Sequence, residues 1–332
     1  MREPSFWWRG GGLEALALAP VAAAYGAVAA YRMGRRGKAA GVPVICIGNL
    51  TVGGAGKTPT AITVGRHLIN AGRRVFFLSR GYGGQNAGPL RVDTAYHGAA
   101  DVGDEPLLLA QLAPTIVAQD RVAGAEMARA AGAATIVMDD GFQNPSLHKN
   151  LSIVVIDGRR GIGNGRVFPA GPLRAPLRSQ MRHAHALLIL GTPSASCEPA
   201  IAEAEARGIP VLRGVLEAEA DAVSALIGHR VLAFAGIGDP EKFFTTLAEA
   251  GIPAPVTQGF PDHHRYSRAE AEALVERATR EDLVLVTTEK DLVRIARDPE
   301  IAVLAKVVRA LPVTLQLDDD EAFRQLLSEK AA

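Results

Sequence analysis

The 332-residue chain has only two cysteines, Cys46 and Cys197. Two distant thiols cannot build a disulfide framework or a cysteine-based zinc site, and a reduced, cytosol-facing compartment fits them. Aromatic residues are scarce at 5%, while Ala and Gly are plentiful, so Ala-rich, closely packed helices are expected. Net charge is close to absent at +1, which gives no global reason to bind nucleic acid. The chain is 48% hydrophobic and 21% charged, the balance of a globular protein with a core, and this excludes a disordered chain. At roughly 150 residues per domain the length suggests two domains.

Acid is missing from one long stretch. No Asp or Glu occurs from Ala15 to Val92, where ten basic residues stand: Arg32, Arg35, Arg36, Lys38, Lys57, Arg66, Arg73, Arg74, Arg80 and Arg91. Residues 1–14 balance at zero, so the part from Asp93 onward carries −9. A basic front suits phosphates or a lipid headgroup surface. An Arg-rich composition is the plainer explanation.

A long hydrophobic run is also lacking. The seventeen uncharged residues Ala15–Tyr31 include nine Ala, with Pro20 and Gly26 interrupting. As a helix they extend roughly 25 Å, short of a ~30 Å hydrocarbon core. Phe6, Trp7 and Trp8 precede the run, and Arg32, Arg35, Arg36 and Lys38 follow it. Aromatic and cationic flanks suit a helix lying at a membrane interface, the preferred reading of residues 1–38. A buried Ala-rich helix is the alternative. A signal peptide does not fit, because its cations would precede the apolar run.

A strand–helix alternation starts directly afterwards. Val42–Gly48, Arg74–Leu78, Pro114–Ala118, Ala134–Met138, Leu151–Ile156 and Ala186–Leu190 read as buried strands. Helices are expected over about 59–71, 105–112 and 121–131. This is an α/β pattern with a mostly parallel sheet covered on both faces. From Gly214 to Ala225 the apolar rhythm weakens and acids accumulate. The boundary is therefore placed there, giving residues 39–215 as a P-loop domain and 216–332 as a smaller C-terminal α/β domain. Within the latter, Val231 opens a new strand, Pro240–Ala250 and Arg268–Ala278 are helical, and Leu283–Thr287 and Val313–Leu317 are strands.

Thr51–Thr58 (TVGGAGKT) lies between a predicted strand and helix. The phosphate loop G-x-x-x-x-G-K-[ST] matches at Gly56, Lys57 and Thr58, while Thr51 stands where the first Gly is usual. Thr51, Val52, Gly53, Gly54, Ala55 and Gly56 would turn backbone N–H groups toward phosphate oxygens. Lys57 would reach the β- and γ-phosphates of ATP, and Thr58 would bind Mg²⁺. The strand Ala134–Met138 runs into Asp139 and Asp140, and Asp139 is the expected carboxylate for the metal. Asp157, closing the next strand, is a weaker candidate.

Together with GNLTVGGAGKTP, the stretches SRGYGG (Ser79–Gly84), GDEP (Gly103–Pro106), DDGFQ (Asp139–Gln143), FPAGPLR (Phe168–Arg174), FPDHH (Phe260–His264) and TTEKD (Thr287–Asp291) resemble the tetraacyldisaccharide 4′-kinase family. They run in that family's order over most of the chain, and the loop without its first Gly looks like the family's own form. The resemblance implies transfer of the ATP γ-phosphate to the 4′-hydroxyl of a membrane-borne, acylated glucosamine disaccharide 1-phosphate. It implies a cleft between the two domains, and an inner-membrane position on the cytoplasmic face. It assigns Asp104 as the base acting on the sugar hydroxyl and His263 as its partner, with Glu105 adjacent. Read alone, Asp104 would be a helix N-cap and His263 an exposed loop residue. Arg80 and Arg174 are candidate contacts for substrate phosphate, or solvated arginines. Asn144 and Ala175 depart from the residues many members carry after DDGFQ and after the Leu-Arg of FPAGPLR.

TTEKD resembles a guanine-reading motif only superficially, since Glu289 breaks its spacing. A P-loop GTPase or metal-chaperone switch is the alternative function. It lacks both N-K-x-D and a His/Cys cluster, and His183 with His185 has no further ligands at zinc spacing. A soluble small-molecule kinase is a third reading. A monomer is expected.

Overall fold

The computed structural model describes residues 3–10 and 12–331. Its strands are β1 (Val44–Asn49), β2 (Val75–Ser79), β3 (Leu90–Arg91), β4 (Thr115–Val117), β5 (Thr135–Asp139), β6 (Leu151–Asp157), β7 (Ala186–Leu190), β8 (Val211–Ala218), β9 (Val231–Ala235), β10 (Val256–Gly259), β11 (Val284–Thr287), β12 (Arg309–Ala310) and β13 (Val313–Leu317). Nine form one sheet in the order β13-β8-β7-β6-β1-β5-β2-β4-β3, and four form a second, β10-β9-β11-β12. Only the edge pairs β13–β8 and β3–β4 are antiparallel.

The central strands are apolar on both faces because both faces are covered. Alternate residues of β1 enter different cores: Val44 and Cys46 one, Ile45 and Ile47 the other. In β6, Val154 and Ile156 join the first core, and Ile153 and Val155 the second. The second sheet repeats the device, with Leu232 and Phe234 on one side and Val231, Ala233 and Ala235 on the other. In the large sheet the chain crosses from β5 over β1 to β6. The crevice at the carboxyl ends of β1, β5 and β6 is thus the topological switch point, where α/β sheets bind ligands.

Two expectations differ from the structure. The stretch Val211–Ala218 is the penultimate strand of the large sheet, and the edge strand β13 pairs with it, Leu315 opposite Leu216. Residues 313–331, assigned above to the C-terminal domain, therefore return to the large sheet. The weak apolar rhythm there is that of a half-exposed edge pair rather than a linker, because only one face of such strands is buried. The smaller unit is an insertion between β8 and β13. The N-terminal run is also two helices, Leu13–Ala17 and Ala19–Met33. Pro20 lacks the N–H that a continuous helix needs, and it sits in the first turn of the second helix.

That second helix has two different faces. Ala22, Gly26 and Met33 are buried, with Gly26 close against Val167 and Pro176. On its other face Val21, Val28 and Tyr31 stand exposed, as do Leu13 and Leu16 on the short helix before it. Trp7 is buried, donating its indole N–H to the Pro169 carbonyl at 3.0 Å. Among the described residues no helix is long and apolar enough to cross a membrane.

The last helix, Asp320–Ala331, closes the core over the helix that follows β1. Phe323 is fully buried, its ring edge-on to His67, and His67 Nε2 meets Asp320 at 3.2 Å. Phe323→Ala is expected to cost about 3–5 kcal/mol, the usual range for emptying such a site. Urea unfolding checks this, and a loss under about 1 kcal/mol would show that the helix is not part of the core.

Candidate active site

The loop after β1 leads into the helix Lys57–Asn70. Gly53 and Gly56 have φ of 99° and 85°, a backbone region other residues avoid. A Cβ on Gly56 would also lie 2.4 Å from Leu190. Thr51 needs no such freedom. It bridges to Leu173, while Val52 N–H donates to the Pro172 carbonyl at 2.8 Å. The start of the loop is thus fixed by the FPAGPLR segment rather than by a glycine.

Lys57 Nζ lies 3.5 Å from the Gly53 carbonyl and 3.9 Å from Asp140 Oδ1. Burial lowers its pKa, opposed chiefly by Asp140. Thr58 Oγ1 donates to Asp139 Oδ2 at 3.1 Å, and Asp139 Oδ1 is buried without a partner. Burial, reinforced by the charge of Glu105, pushes Asp139 up to about 7. Asp140 is the opposite case: against the penalty of burial, Lys57 and Arg174 hold it at about 2. Arg174 Nη1 donates to Asp140 Oδ1 at 3.1 Å, and its Nε to the Thr51 carbonyl at 2.8 Å. One of the two adjacent acids is therefore neutralised by protein cations, and the other is left with an open oxygen. Asp157, the weaker metal candidate, is paired with Lys242 at 2.8 Å.

Asp104 opens the helix Asp104–Leu112, but Gly103 is the N-cap and no side chain caps it. The Asp104 carboxylate is 2% exposed. Its Oδ2 lies 3.3 Å from His263 Nδ1 and accepts from Arg294 Nε at 2.9 Å and Nη2 at 2.7 Å. Burial works against the anion, but His263, Lys290 and Arg294 hold it well below the usual carboxylate range. The hydrogen bond to Asp104 raises His263 in turn. His263 sits in a turn with φ of 55° and donates its backbone N–H to the Gly236 carbonyl at 3.0 Å. The turn pushes its ring out of the second unit toward Asp104 and against the Tyr82 ring, 5.1 Å away. Glu105 is ion-paired with Lys290 at 2.8 Å. Asp104, Glu105 and His263 offer ligand atoms within 4.8 Å of one another, yet Lys290 and Arg294 already match the two acidic charges.

The charge of Glu105 is felt at both Lys57 and Asp139, so the loop and the Asp104–His263 pair lie near one another. Arg80 is exposed at the end of β2 and makes no ion pair among the described residues. Asn144 turns inward to cap Ser146 N–H at 2.9 Å, and Ala175 is fully buried; both departures are structural here.

Three residues escape sequence reading. Arg121 is buried, with an unpartnered Nε and Asp140 near enough to bear on it; nothing local marked it. Lys290, inside the TTEKD signature, and Arg294, three residues beyond it, stand at helical i,i+4 spacing, which was visible. What that helix face meets was not.

A Gly-rich turn between a buried strand and a helix, ringed by Lys57, Thr58 and Asp139 at a sheet's switch point, is the arrangement of P-loop nucleotide-binding proteins. Comparison with known proteins narrows the class. The profile of the family described as Tetraacyldisaccharide-1-P 4'-kinase matches residues 14–332, and the chain belongs to that family. It is 53% identical to the Tetraacyldisaccharide 4'-kinase of Rhodopseudomonas palustris (strain BisA53), covering 98% of this chain and 95% of that protein. It is 56% identical to the one from Methylobacterium sp. (strain 4-46), covering 97% and 95%. The solved structure of the "apo" form of LpxK from Aquifex aeolicus, in complex with ATP, is 27% identical. It superposes with a TM-score of 0.74, covering 96% of this chain and 99% of that one.

The raised pKa of Asp139 has a stability signature. In the unfolded chain this carboxyl ionises near 4; in the fold it keeps its proton to about 7. Its burial penalty is therefore absent below pH ~4, grows as pH rises, and is complete above about 7. Asp139→Asn is expected to melt higher than the parent at pH 8 in EDTA without nucleotide, with the gain gone near pH 4. Thermal unfolding at both pH values checks it; an equal difference at both would mean an ordinary carboxylate.

Proposed function

We infer that this chain is an ATP-dependent kinase that transfers the γ-phosphate of ATP to the 4′-hydroxyl of a tetraacylated glucosamine disaccharide 1-phosphate, giving lipid IVA, the precursor of lipid A. Family membership and the activity for which its relatives are named support the reaction, and the ATP in the Aquifex aeolicus structure supports the donor. The observation that carries the reading is the Asp104–His263 pair, drawn from two separate units and lying near the loop Thr51–Thr58.

The backbone of Thr51–Thr58 cradles the phosphates, and Lys57 neutralises charge that builds on the β/γ-phosphates during transfer. Asp104, supported by His263, takes the hydroxyl proton as the new O–P bond forms and ADP leaves. Thr58 and Asp139 fit Mg²⁺: one donates a hydroxyl oxygen, and the other holds a buried oxygen with no protein partner. The ion would supply positive charge against the phosphate oxygens. Arg174 acts on the loop and on Asp140, while Arg80, exposed at the mouth, is the freer group for an anionic part of the substrate. Glu105 serves through Lys290 rather than as a second base.

The guanine-reading alternative loses its candidate motif. Asp291 is fully buried against Arg294, Tyr266 and Thr288, so it has no free edge for a base.

Residues 13–38 dock on the cytoplasmic face of the inner membrane as a peripheral element. The support is an outward apolar face of Leu13, Leu16, Val21, Val28 and Tyr31, next to exposed Arg32, Arg35 and Arg36. Lys38 is paired with Glu126 and contributes less. The protein acts as a monomer on a substrate that stays in the lipid.

The deciding assay is ATP-dependent phosphorylation of the detergent-dispersed disaccharide 1-phosphate. Lys57→Ala is expected to lose at least ~10²-fold in kcat/KM. Asp104→Asn and His263→Ala should each slow transfer strongly, and the double variant should be scarcely worse than the poorer single one. Multiplicative losses would mean that the two act independently. For the membrane, Leu13→Ser, Leu16→Ser, Val28→Ser and Tyr31→Ser change only exposed side chains and spare the buried Trp7 that a deletion would remove. The combined variant should float less with anionic vesicles while binding ATP as before, and equal flotation would sink the docking face.

A further inference from the structure

The helix Glu289–Ile295 belongs to the inserted unit, yet two of its side chains end on the other unit. Its start is rigid. Thr287 Oγ1 donates to the Phe234 carbonyl at 2.7 Å, tying β11 to β9, and Thr288 caps the helix by accepting from Asp291 N–H. Asp291, fully buried, accepts from Gly236 N–H, Tyr266 Oη, Thr288 Oγ1 and Arg294 Nη1, the last three at 2.7 Å. Its lone pairs are used up within its own unit.

Arg294 is thereby aimed. One edge of its guanidinium is pinned by Asp291 and by the Gly236 carbonyl at 2.8 Å. The other edge presents Nε and Nη2 to Asp104 Oδ2. The Gly236 carbonyl that holds Arg294 also accepts the backbone N–H of His263. Both groups that meet Oδ2 are therefore registered to one peptide. Among the described residues Asp104 Oδ1 is left with a single hydrogen bond, from the Glu105 N–H at 3.1 Å. One turn earlier on the same face, Lys290 binds Glu105 and balances the charge of that neighbouring acid.

We propose that Arg294, braced by Asp291 and flanked by Lys290, is the positioning residue of the Asp104–His263 pair: it occupies Oδ2 and leaves Oδ1 as the oxygen that meets the sugar hydroxyl. This rests on the reading of Asp104 as the base. The phosphoryl step is unchanged: the hydroxyl oxygen bonds to the γ-phosphorus, the bond to the β-phosphate oxygen breaks, and the hydroxyl proton passes to the pair. Arg294 touches none of the reacting atoms. It fixes the direction of the carboxylate and supplies a charge that resists its protonation.

The charge has a readable consequence. The groups facing the pair are the acids Glu105 and Asp262, the cations Lys290 and Arg294, and the Tyr82 ring; Asp291 and Tyr266 stand behind Arg294. Removing a cation from this set makes the pair bind its proton more tightly, whichever member carries it. The acid limb of the kcat profile must then move to higher pH.

The test is steady-state phosphorylation of the detergent-dispersed disaccharide 1-phosphate by the full chain, across pH, with thermal unfolding alongside. Arg294→Gln is expected to lower kcat about 10²-fold, the scale of a misdirected reacting group. The KM for ATP should stay within about twofold, and the acid limb should shift upward. Arg294→Lys restores the charge but not the two-point contact, so the limb should return toward the parent while kcat stays low. A folded Arg294→Gln with the parent's limb and kcat overturns the proposal. So does a loss equal at every pH that tracks a lower melting temperature, which would make Arg294 merely structural. Should Arg294→Gln not fold, Lys290→Gln decides, since Lys290 is partly exposed: an upward shift supports the proposal and an unmoved limb ends it. Asp104→Asn separates the two readings. If that variant stays active, the dyad itself is wrong; if it is dead while the Arg294 variants keep the parent's profile, only the positioning role fails.

Discussion

An ionised carboxylate at 2% exposure, on the join between two separately cored units, persists only if partners surround it. Asp104 is that group, and its partners come from the unit it does not belong to: His263 and Arg294. Removing such an anion from water costs several kcal/mol unless charge and hydrogen bonds replace the hydration. The cleft geometry follows from that need. The inserted unit both covers Asp104 and brings the groups that compensate its charge. The same compensation aims His263 and Arg294 at the carboxylate.

The large sheet supplies a second constraint. Strands covered on both faces leave no room for polar side chains except at their ends. Acids therefore gather where β5 and β6 stop, at Asp139, Asp140 and Asp157. There the protein sorts them by partner. Asp140 and Asp157 receive lysine or arginine, and of the three Asp139 alone keeps a buried oxygen without a partner. Three carboxylates a few residues from strand ends thus acquire different chemistry from their neighbours alone.

How much of this was legible depended on the range of the interaction. The buried strands could be read because an apolar run bounded by Gly or acid is a local pattern, and Ala186–Leu190 matches residue for residue. The phosphate loop was legible for the same reason. Pro20 was visible, but whether it interrupts or breaks the run depends on packing that the sequence does not print. Leu315 facing Leu216 was hidden, because nothing near Val313 says which of two sheets it joins. Lys290 and Arg294 meet partners 185 and 190 residues away. The i,i+4 spacing shows that they share a helix face, but only the fold shows what lies opposite. The role of TTEKD, opaque as a string, becomes plain once Asp291 is seen bracing Arg294.

The chain leaves the nine-stranded sheet after β8 and re-enters it at β13, only to finish with the helix that carries Phe323 and Leu327. Those two side chains pack in the same core as Ala61, Val64 and Leu68, on the helix that begins at Lys57. During synthesis, at roughly 5–20 residues per second, the nucleotide loop emerges early, but the apolar flank beneath it waits for residues 320–331. For most of that interval the growing chain carries an uncovered apolar strip beside its most basic stretch. Synthesis of residues 320–331, rather than emergence of the loop, is the moment at which the nucleotide half of the enzyme becomes a finished body.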